Sequence, residues 1–239
     1  MMADEVAVSC LMPTRARHRW LPRAAGMFVR QRVPGAELVI VSEDGCPASL
    51  LCASTRIRHV VCPAGLSLGA KRNFACAAAR GKILVHWDDD DLHAPSRLRR
   101  QLQTLAATQC QLTGSSRVHF LETKSGRCWE YRYGDARRPW VCGATLAYTR
   151  AYWRRHPFPE VPVGEDNLFV WAATGNELHD TRDASLCLCT IHPGNTSFKD
   201  TGDAWWRPIA LPRRWRRLLA LLCLDRGPRR TDFRGRVTQ

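Results

Sequence analysis

Short apolar runs alternate with amphipathic stretches along the first half of the chain, and their spacing predicts strands and helices in turn. Residues 6–10, 37–41, 58–61 and 82–87 read as strands, and residues 20–31 and 68–79 as helices between them. Pro34-Gly35 supplies a turn, and Gly81 stops the second helix. Strands separated by helices of about a dozen residues predict βαβ units around a mostly parallel sheet. After residue 92 a helix is expected, with Pro95 at its start and Leu98, Leu102 and Leu105 at helical spacing.

The pattern then changes. Residues 118–121 and 128–133 flank Lys124-Ser125-Gly126, which signals a hairpin with aromatics on its second arm. Residues 141–148 read as an apolar strand and 150–155 as a short helix. Gly164-Glu165-Asp166 opens another helix that runs to residue 174. A strand over 186–191 precedes the polar loop His192-Pro193-Gly194-Asn195-Thr196-Ser197. From Trp205 the composition turns to tryptophan, arginine and leucine, which sets the expected end of the core near Asp200.

One stretch departs from ordinary patterning. Ile83-Leu84-Val85-His86-Trp87 is a buried strand, and it ends in Asp88-Asp89-Asp90-Asp91. Adjacent carboxylates raise one another's pKa unless a cation neutralises them. At the carboxyl end of a strand, the economical neutraliser is a divalent cation holding a phosphorylated ligand. A solvated acidic turn before a helix is the plainer alternative. Three further polar clusters stand at comparable places: Pro13-Thr14-Arg15, Glu43-Asp44 and Lys71-Arg72-Asn73. In an open α/β sheet the ligand lies across the carboxyl ends of the strands, so four clusters on one rim point to a shared site.

Charge and cysteines narrow the classes. The 239 residues, 45% of them hydrophobic, suffice for a full core, and the formal net charge is +14. Residues 205–239 hold ten arginines against Asp225 and Asp232, so this tail supplies +8 and the other 204 residues +6. A basic surface favours nucleic acid, anionic lipid or phosphorylated small molecules. The aromatics do not interleave with basic residues on one strand face, and core acids repel a polyanion, so no nucleic-acid partner is expected. Arg213-Arg214-Trp215-Arg216-Arg217 precedes about seven apolar residues, far short of a membrane span. Such a helix either lies on an anionic membrane surface or packs on the core with its arginines solvated. Eleven scattered cysteines with no secretion signal ahead of them predict free thiols and a cytoplasmic protein. Cys187 and Cys189 face one side of a strand, and no second pair completes a zinc site, so core packing is expected of them.

No GxxxxGK[ST] sequence and no glycine-rich dinucleotide fingerprint occurs. A nucleoside diphosphate leaving group suits the acids, because a cation stabilises the charge that builds on the β-phosphate. At this point the chain resembles family 2 glycosyltransferases with the A-type, nucleotide-sugar-binding fold. Their typical P-T-Y-N-R, D-D-G-S, G-x-x-x-A/K-R-N, D-x-D-D and G-E/D-D motifs find matches in order. Here they stand as Pro13-Thr14-Arg15-Ala16-Arg17, Glu43-Asp44-Gly45-Cys46, Gly69-Ala70-Lys71-Arg72-Asn73, Asp88-Asp89-Asp90-Asp91 and Gly164-Glu165-Asp166. Arg15-Ala16 replaces Tyr-Asn, and Glu43 replaces the first Asp of the turn.

The resemblance implies one α/β domain of A-type fold. A mostly parallel central sheet flanked by helices would carry a smaller acceptor-side β region and a basic C-terminal helix. Residues 1–110 would be the nucleotide-sugar half, 111–200 the acceptor and catalytic-base half, and 201–239 a basic tail. By the same resemblance Asp88 and Asp90 would hold Mn²⁺ or Mg²⁺ with the diphosphate, and His192 would complete the metal site or remain a surface histidine. Pro13, Thr14, Arg15, Glu43, Asp44, Lys71, Arg72 and Asp89 would contact the nucleotide. Asp166, or Glu165 beside it, would be the base that deprotonates the acceptor hydroxyl. The partners implied are a UDP-sugar donor and a glycan or lipid-linked acceptor. The alternatives are a nucleotidyltransferase acting on sugar phosphates, although the glycines it needs after the first strand are missing, and a non-enzymatic nucleic-acid-binding module, which the core acids oppose.

Overall fold

The computed structural model describes residues 6–52, 54–135 and 137–224. In chain order the elements begin with β1 (Val8–Pro13), α1 (Leu21–Val29), β2 (Ala36–Ser42), α2 (Ala48–Cys52), β3 (Ile57–Val61), α3 (Leu68–Ala78) and β4 (Ile83–His86). Next come β5 (Leu92–His93), α4 (Arg97–Thr108), β6 (Leu112–Gly114), β7 (Arg117–Glu122), β8 (Cys128–Arg132) and β9 (Ala147–Thr149). The last are α5 (Arg150–Arg155), α6 (Glu165–Trp171), β10 (Leu178–Asp180), β11 (Cys187–Ile191), β12 (Trp206–Ile209) and α7 (Arg213–Leu224).

A seven-stranded sheet runs β10-β6-β9-β4-β1-β2-β3. Its β4-β1-β2-β3 half is parallel, as the βαβ spacing predicts, and β9 pairs antiparallel with β4 and with β6. Alternation along the strands sends side chains to two faces. Val8, Cys10, Met12, Leu38 and Ile40 pack with Phe28 of α1, Leu98 of α4 and Trp215 of α7. Leu11, Val39, Val41 and Leu84 pack on the other face with Ala75 of α3, Tyr152 of α5 and Phe169 of α6. The result is a three-layer α/β/α core. A second sheet, β12-β8-β7-β11-β5, holds the expected hairpin as β7 and β8 and has its own small core around Val118, Phe120, Cys142, Cys187 and Cys189.

Three expectations need correction. Residues 141–148 are not one strand: a 3-10 turn over Gly143–Thr145 intervenes, and only Ala147–Thr149 pairs. The segment after the acids begins as a short strand, β5, because Cys187 and Leu188 of β11 offer it an antiparallel partner before α4 starts. The core does not end near Asp200. Strand β12 pairs with β8 from Trp206 to Ile209, and Trp215, Leu218 and Leu222 of α7 are buried at i, i+3 and i+7. The basic helix therefore packs on the core, with Trp215 Nε1 donating to His119 Nδ1 at 3.1 Å. The arginines of residues 225–239 lie outside the described residues.

Candidate active site

The acidic run fans out from the end of β4. Asp89, only 1% exposed, accepts from Thr14 Oγ1 at 2.5 Å and from Arg17 Nη1 at 3.2 Å. Asp91 accepts the backbone N–H of Thr190 at 2.8 Å. Asp88 and Asp90 border an open cavity of about 830 Å³. Asp90 Oδ2 lies 2.9 Å from Arg17 Nη1 and 3.0 Å from His192 Nε2. Asp88 Oδ1 is 3.8 Å from Arg72 Nη2. Burial pushes the carboxyls of Asp88 and Asp89 up; Arg72 opposes this at Asp88, Thr14 and Arg17 oppose it at Asp89, and Asp90 adds to it at both.

Helix α3 supplies the cations. Gly69 sits against the loop that leads to α6: a Cβ there would stand 1.8 Å from the carbonyl oxygen of Pro159. This close approach fixes the helix start, and Lys71 and Arg72 follow on its buried side. Lys71 Nζ donates to Glu43 Oε1 at 2.9 Å and to Thr14 O at 3.3 Å. Arg72 Nε donates to Glu165 Oε1 at 2.9 Å, and its Nη1 is buried with no partner among the described residues.

Of the residues singled out from sequence, Pro13, Thr14, Arg15, Lys71, Arg72, Asp88, Asp89, Asp90, Glu165 and Asp166 all border this cavity. Glu43 and Asp44 stand behind it. The hydrogen bond from Lys71 holds the Glu43 carboxyl below the usual range. Asp44 is likewise lowered: its contacts with His18 Nε2 and the Ala16 N–H outweigh partial burial. Asp44 thus shapes the loop after β1.

Glu165 and Asp166, neighbours in sequence, differ in circumstance. Glu165 is 2% exposed and tied to Arg72, with burial pushing its carboxyl up and Arg72 pulling it back. Asp166 is half-buried in the first turn of α6, where Oδ1 accepts the N–H of Asn167 at 2.9 Å. Its Oδ2 lies against Gly143, where an added Cβ would come within 2.0 Å. Trp140 Nε1 donates to Asn167 Oδ1 at 2.7 Å, and Trp140 packs on Tyr131 and Tyr133. These rings line the cavity together with Trp205 and Trp206.

Several contributors went unassigned in the sequence. Arg17 stood inside a quoted motif, yet nothing in the spacing shows that its guanidinium reaches Asp89 and Asp90. Trp205 and Trp206 read as the start of a tail, whereas pairing of β12 with β8 folds them into the cavity wall. Arg97, fully buried, donates to the carbonyls of His86 and Ala144, to His93 and to Gln101, and so props the acidic turn from beneath.

The donor set of Asp88 and Asp90, with His192 against Asp90, fits a hard divalent cation that shares its coordination with ligand phosphates. Asp88, Asp90 and His192 do not gather three donor atoms within 4.8 Å; the group that does so among the described residues is Asp91, Cys187 and Cys189. Arg17 also places positive charge beside Asp90.

Solved glycosyltransferase structures share this fold. TarS 1–349 from S. aureus, in complex with UDP-GlcNAc, gives a TM-score of 0.60 at 15% identity over 92% of this chain and 66% of that one. The mannosyltransferase PcManGT from Pyrobaculum calidifontis, in complex with GDP-Man and Mn²⁺, gives 0.61 at 19% identity over 79% and 58%. The chain thus spans less than two thirds of the length of either neighbour, and identities this low speak for the fold alone. No protein of curated function matches the chain in sequence. Residues 9–157, which hold β1 from Ser9 onward, β2 to β4, the acidic run and Gly143, match Glycosyl transferase family 2, and the chain belongs to that family.

Proposed function

We propose that the protein is an inverting, metal-dependent glycosyltransferase. It would move a hexose or N-acetylhexosamine from a nucleotide sugar, a UDP-sugar first among candidates, to a hydroxyl of a glycan or lipid-linked acceptor. One observation carries this reading: a single cavity is bordered by the Asp88 and Asp90 carboxylates, by Arg72 with its unpartnered Nη1, and by Asp166. Mn²⁺ or Mg²⁺ bound by Asp88 and Asp90, with His192 as a further ligand, would supply Lewis-acid stabilisation of the departing diphosphate.

The chain's own residues supply the rest. Arg72 Nη1 is a donor in reserve for a ligand oxygen, since a buried N–H left unpaired is costly. Lys71 and Thr14 hold the loop after β1 in place. Asp166 takes the proton of the acceptor hydroxyl on its carboxylate; Glu165 is less suited because Arg72 already engages it. One base and no protein nucleophile give an in-line displacement, hence inversion. Tyr131, Tyr133, Trp140, Trp205 and Trp206 offer apolar faces on which an acceptor sugar ring packs.

No helix among the described residues is long and apolar enough to cross a membrane. We place the reaction in the cytoplasm, where nucleotide sugars are made. The apolar face of α7 is spent in the core, so contact with an anionic membrane would rest on the exposed Arg213, Arg214, Arg216 and Arg217.

Calorimetric titration with UDP, GDP and dTDP, each with and without Mn²⁺, tests the reading. UDP is expected to bind, and only with metal. Tighter binding of another nucleotide would reassign the donor, and binding of none would overturn the reading.

A further inference from the structure

Beneath the acidic run the fold gathers a second set of donors. Cys187 and Cys189 alternate along β11 and share one face, as the sequence indicates, and the sequence shows no further pair near them. Packing of β5 against β11 brings in the missing atoms from far away. Asp91 fixes Oδ1 on the Thr190 N–H and turns Oδ2 toward the thiols, 3.9 Å from Cys187 Sγ at a separation of 96 residues. One ligand atom each from Asp91, Cys187 and Cys189 lies within 4.8 Å of the others, and all three residues are buried. Cys142, in the turn before Gly143, packs in the same small core as Cys187 and Cys189.

We infer that Asp91, Cys187 and Cys189 bind a thiophilic divalent cation of the Zn²⁺ class, with the fourth position of the tetrahedron left to solvent. Zinc–sulfur bonds of about 2.3 Å and zinc–oxygen bonds of about 2.0 Å at a tetrahedral angle separate S from O by roughly 3.5 Å and S from S by roughly 3.8 Å. The three donor atoms, all within 4.8 Å of one another, need a contraction of at most roughly 1.3 Å to reach these separations. Two sulfurs and one carboxylate prefer Zn²⁺ to Mn²⁺ or Mg²⁺, whereas the all-oxygen pair Asp88 and Asp90 has the opposite preference. His93 is not counted as a ligand. Its Nδ1, 3.7 Å from Cys187 Sγ, already accepts from Arg97, and its Nε2 donates to the carbonyl of Asp88. It closes the site from behind. Cys142 and Cys189 border the cavity, which gives an ion a way in. On binding, the coordinating thiols release their protons to solvent, so affinity rises with pH.

The test uses Co²⁺ as a coloured stand-in, added to the reduced full-length protein. One equivalent is expected to give a thiolate-to-metal charge-transfer band and the absorption of tetrahedral cobalt, both displaced by Zn²⁺. Cys187→Ser and Cys189→Ser should each weaken Zn²⁺ binding by more than roughly a hundredfold, because even indirect partners of a ligand are worth ten- to hundredfold. Cys46→Ser with Cys52→Ser, outside the small core that holds Cys187 and Cys189, should leave the band intact, as should Asp88→Asn. Circular dichroism shows which variants are folded. If a serine variant fails to fold, loss of cobalt on adding a thiol alkylator to the unaltered protein serves instead, with Cys187 or Cys189 protected by Zn²⁺. No charge-transfer band in the unaltered protein would overturn the site, and so would a band that persists in a folded Cys187→Ser/Cys189→Ser variant. Neither outcome depends on nucleotide binding or sugar transfer.

Discussion

Arg17 places its Nη1 2.9 Å from Oδ2 of Asp90, the carboxylate that also meets His192. Its second nitrogen donates to the carbonyl of Gly194, so the guanidinium bridges the acids and the loop after β11. Without a cation it is the charge that lets Asp89 and Asp90 stand side by side. A metal ion arriving at Asp90 must compete with it. Arg17→Ala is therefore expected to tighten Mn²⁺ binding in the absence of nucleotide by about fivefold, the scale of a partly exposed ion pair. Titration of Mn²⁺ followed by electron paramagnetic resonance reads this out. Unchanged affinity would mean that Arg17 holds the loop without guarding the acid.

Asp88 and Asp90 border the cavity together, while Asp166 reaches it from another helix. Asp88→Asn or Asp90→Asn should lower transfer by orders of magnitude and weaken Mn²⁺-assisted UDP binding. Asp166→Asn should leave UDP affinity within about twofold and cut turnover by at least roughly a hundredfold, because a base is needed mainly in the transition state. Parallel calorimetry and turnover measurements separate the two classes. Transfer near wild type in Asp166→Asn would move the base to Glu165.

At the opposite end of the sheet, Glu37 accepts from Ser9 Oγ and the Arg80 N–H at 2.7 Å and from Arg58 Nε at 2.8 Å. Burial alone would raise its carboxyl, but these donors hold it below the usual range. A depressed folded value means that the stability is present above the unfolded pKa and lost as pH falls through the folded one. Glu37→Gln should cost about 2 kcal/mol at neutral pH. The gap from wild type should stay constant down to about pH 5 and close below it. Urea melts across that range measure it; a gap that widened in acid would refute the ion-pair account.

Helix α7 has two faces with different duties. Trp215→Ala should cost about 3–5 kcal/mol, the usual scale for truncating a buried aromatic. Replacing Arg213, Arg214, Arg216 and Arg217 with serine should leave the melting temperature within a few degrees. The same fourfold change is expected to abolish any co-sedimentation with anionic vesicles. Negligible sedimentation of the unaltered protein would leave α7 as a packed helix alone.

Much of this was legible in the order of residues, and the exceptions have physical causes. Short apolar runs and period-3.6 helices located the parallel β4-β1-β2-β3 layer because β1, β2 and β4 are buried on both faces, while β3 at the sheet edge is largely half-exposed. The four polar clusters reached one region because each follows the carboxyl end of a strand or starts a helix beside one. Residues 141–148 misled because an apolar run does not reveal that Gly143 must leave room for Asp166. The half-burial of Trp205 and Trp206 and the full burial of Trp215 were hidden by the arginines between them, since charge density reads as solvent while long side chains snorkel outward from an apolar seam. Arg17 and Asp91 were ambiguous for another reason. Their roles are set by partners on distant strands, and no local pattern carries that information.

Three of the four neighbouring acids are anchored to places far apart along the chain. Asp89 meets Thr14 across 75 residues, Asp91 meets Thr190 across 99, and Asp90 meets His192 across 102. Contacts of such high order form late, because long loops must close before they contribute. During synthesis the first half of the polypeptide emerges with its acids unrestrained. It cannot acquire a finished site until β11 has left the ribosome and seated itself beside β7. On the function proposed above, the capacity to bind a donor would mark the completion of folding, and a chain that stops short of residue 192 would carry every acid of the run and still lack their arrangement.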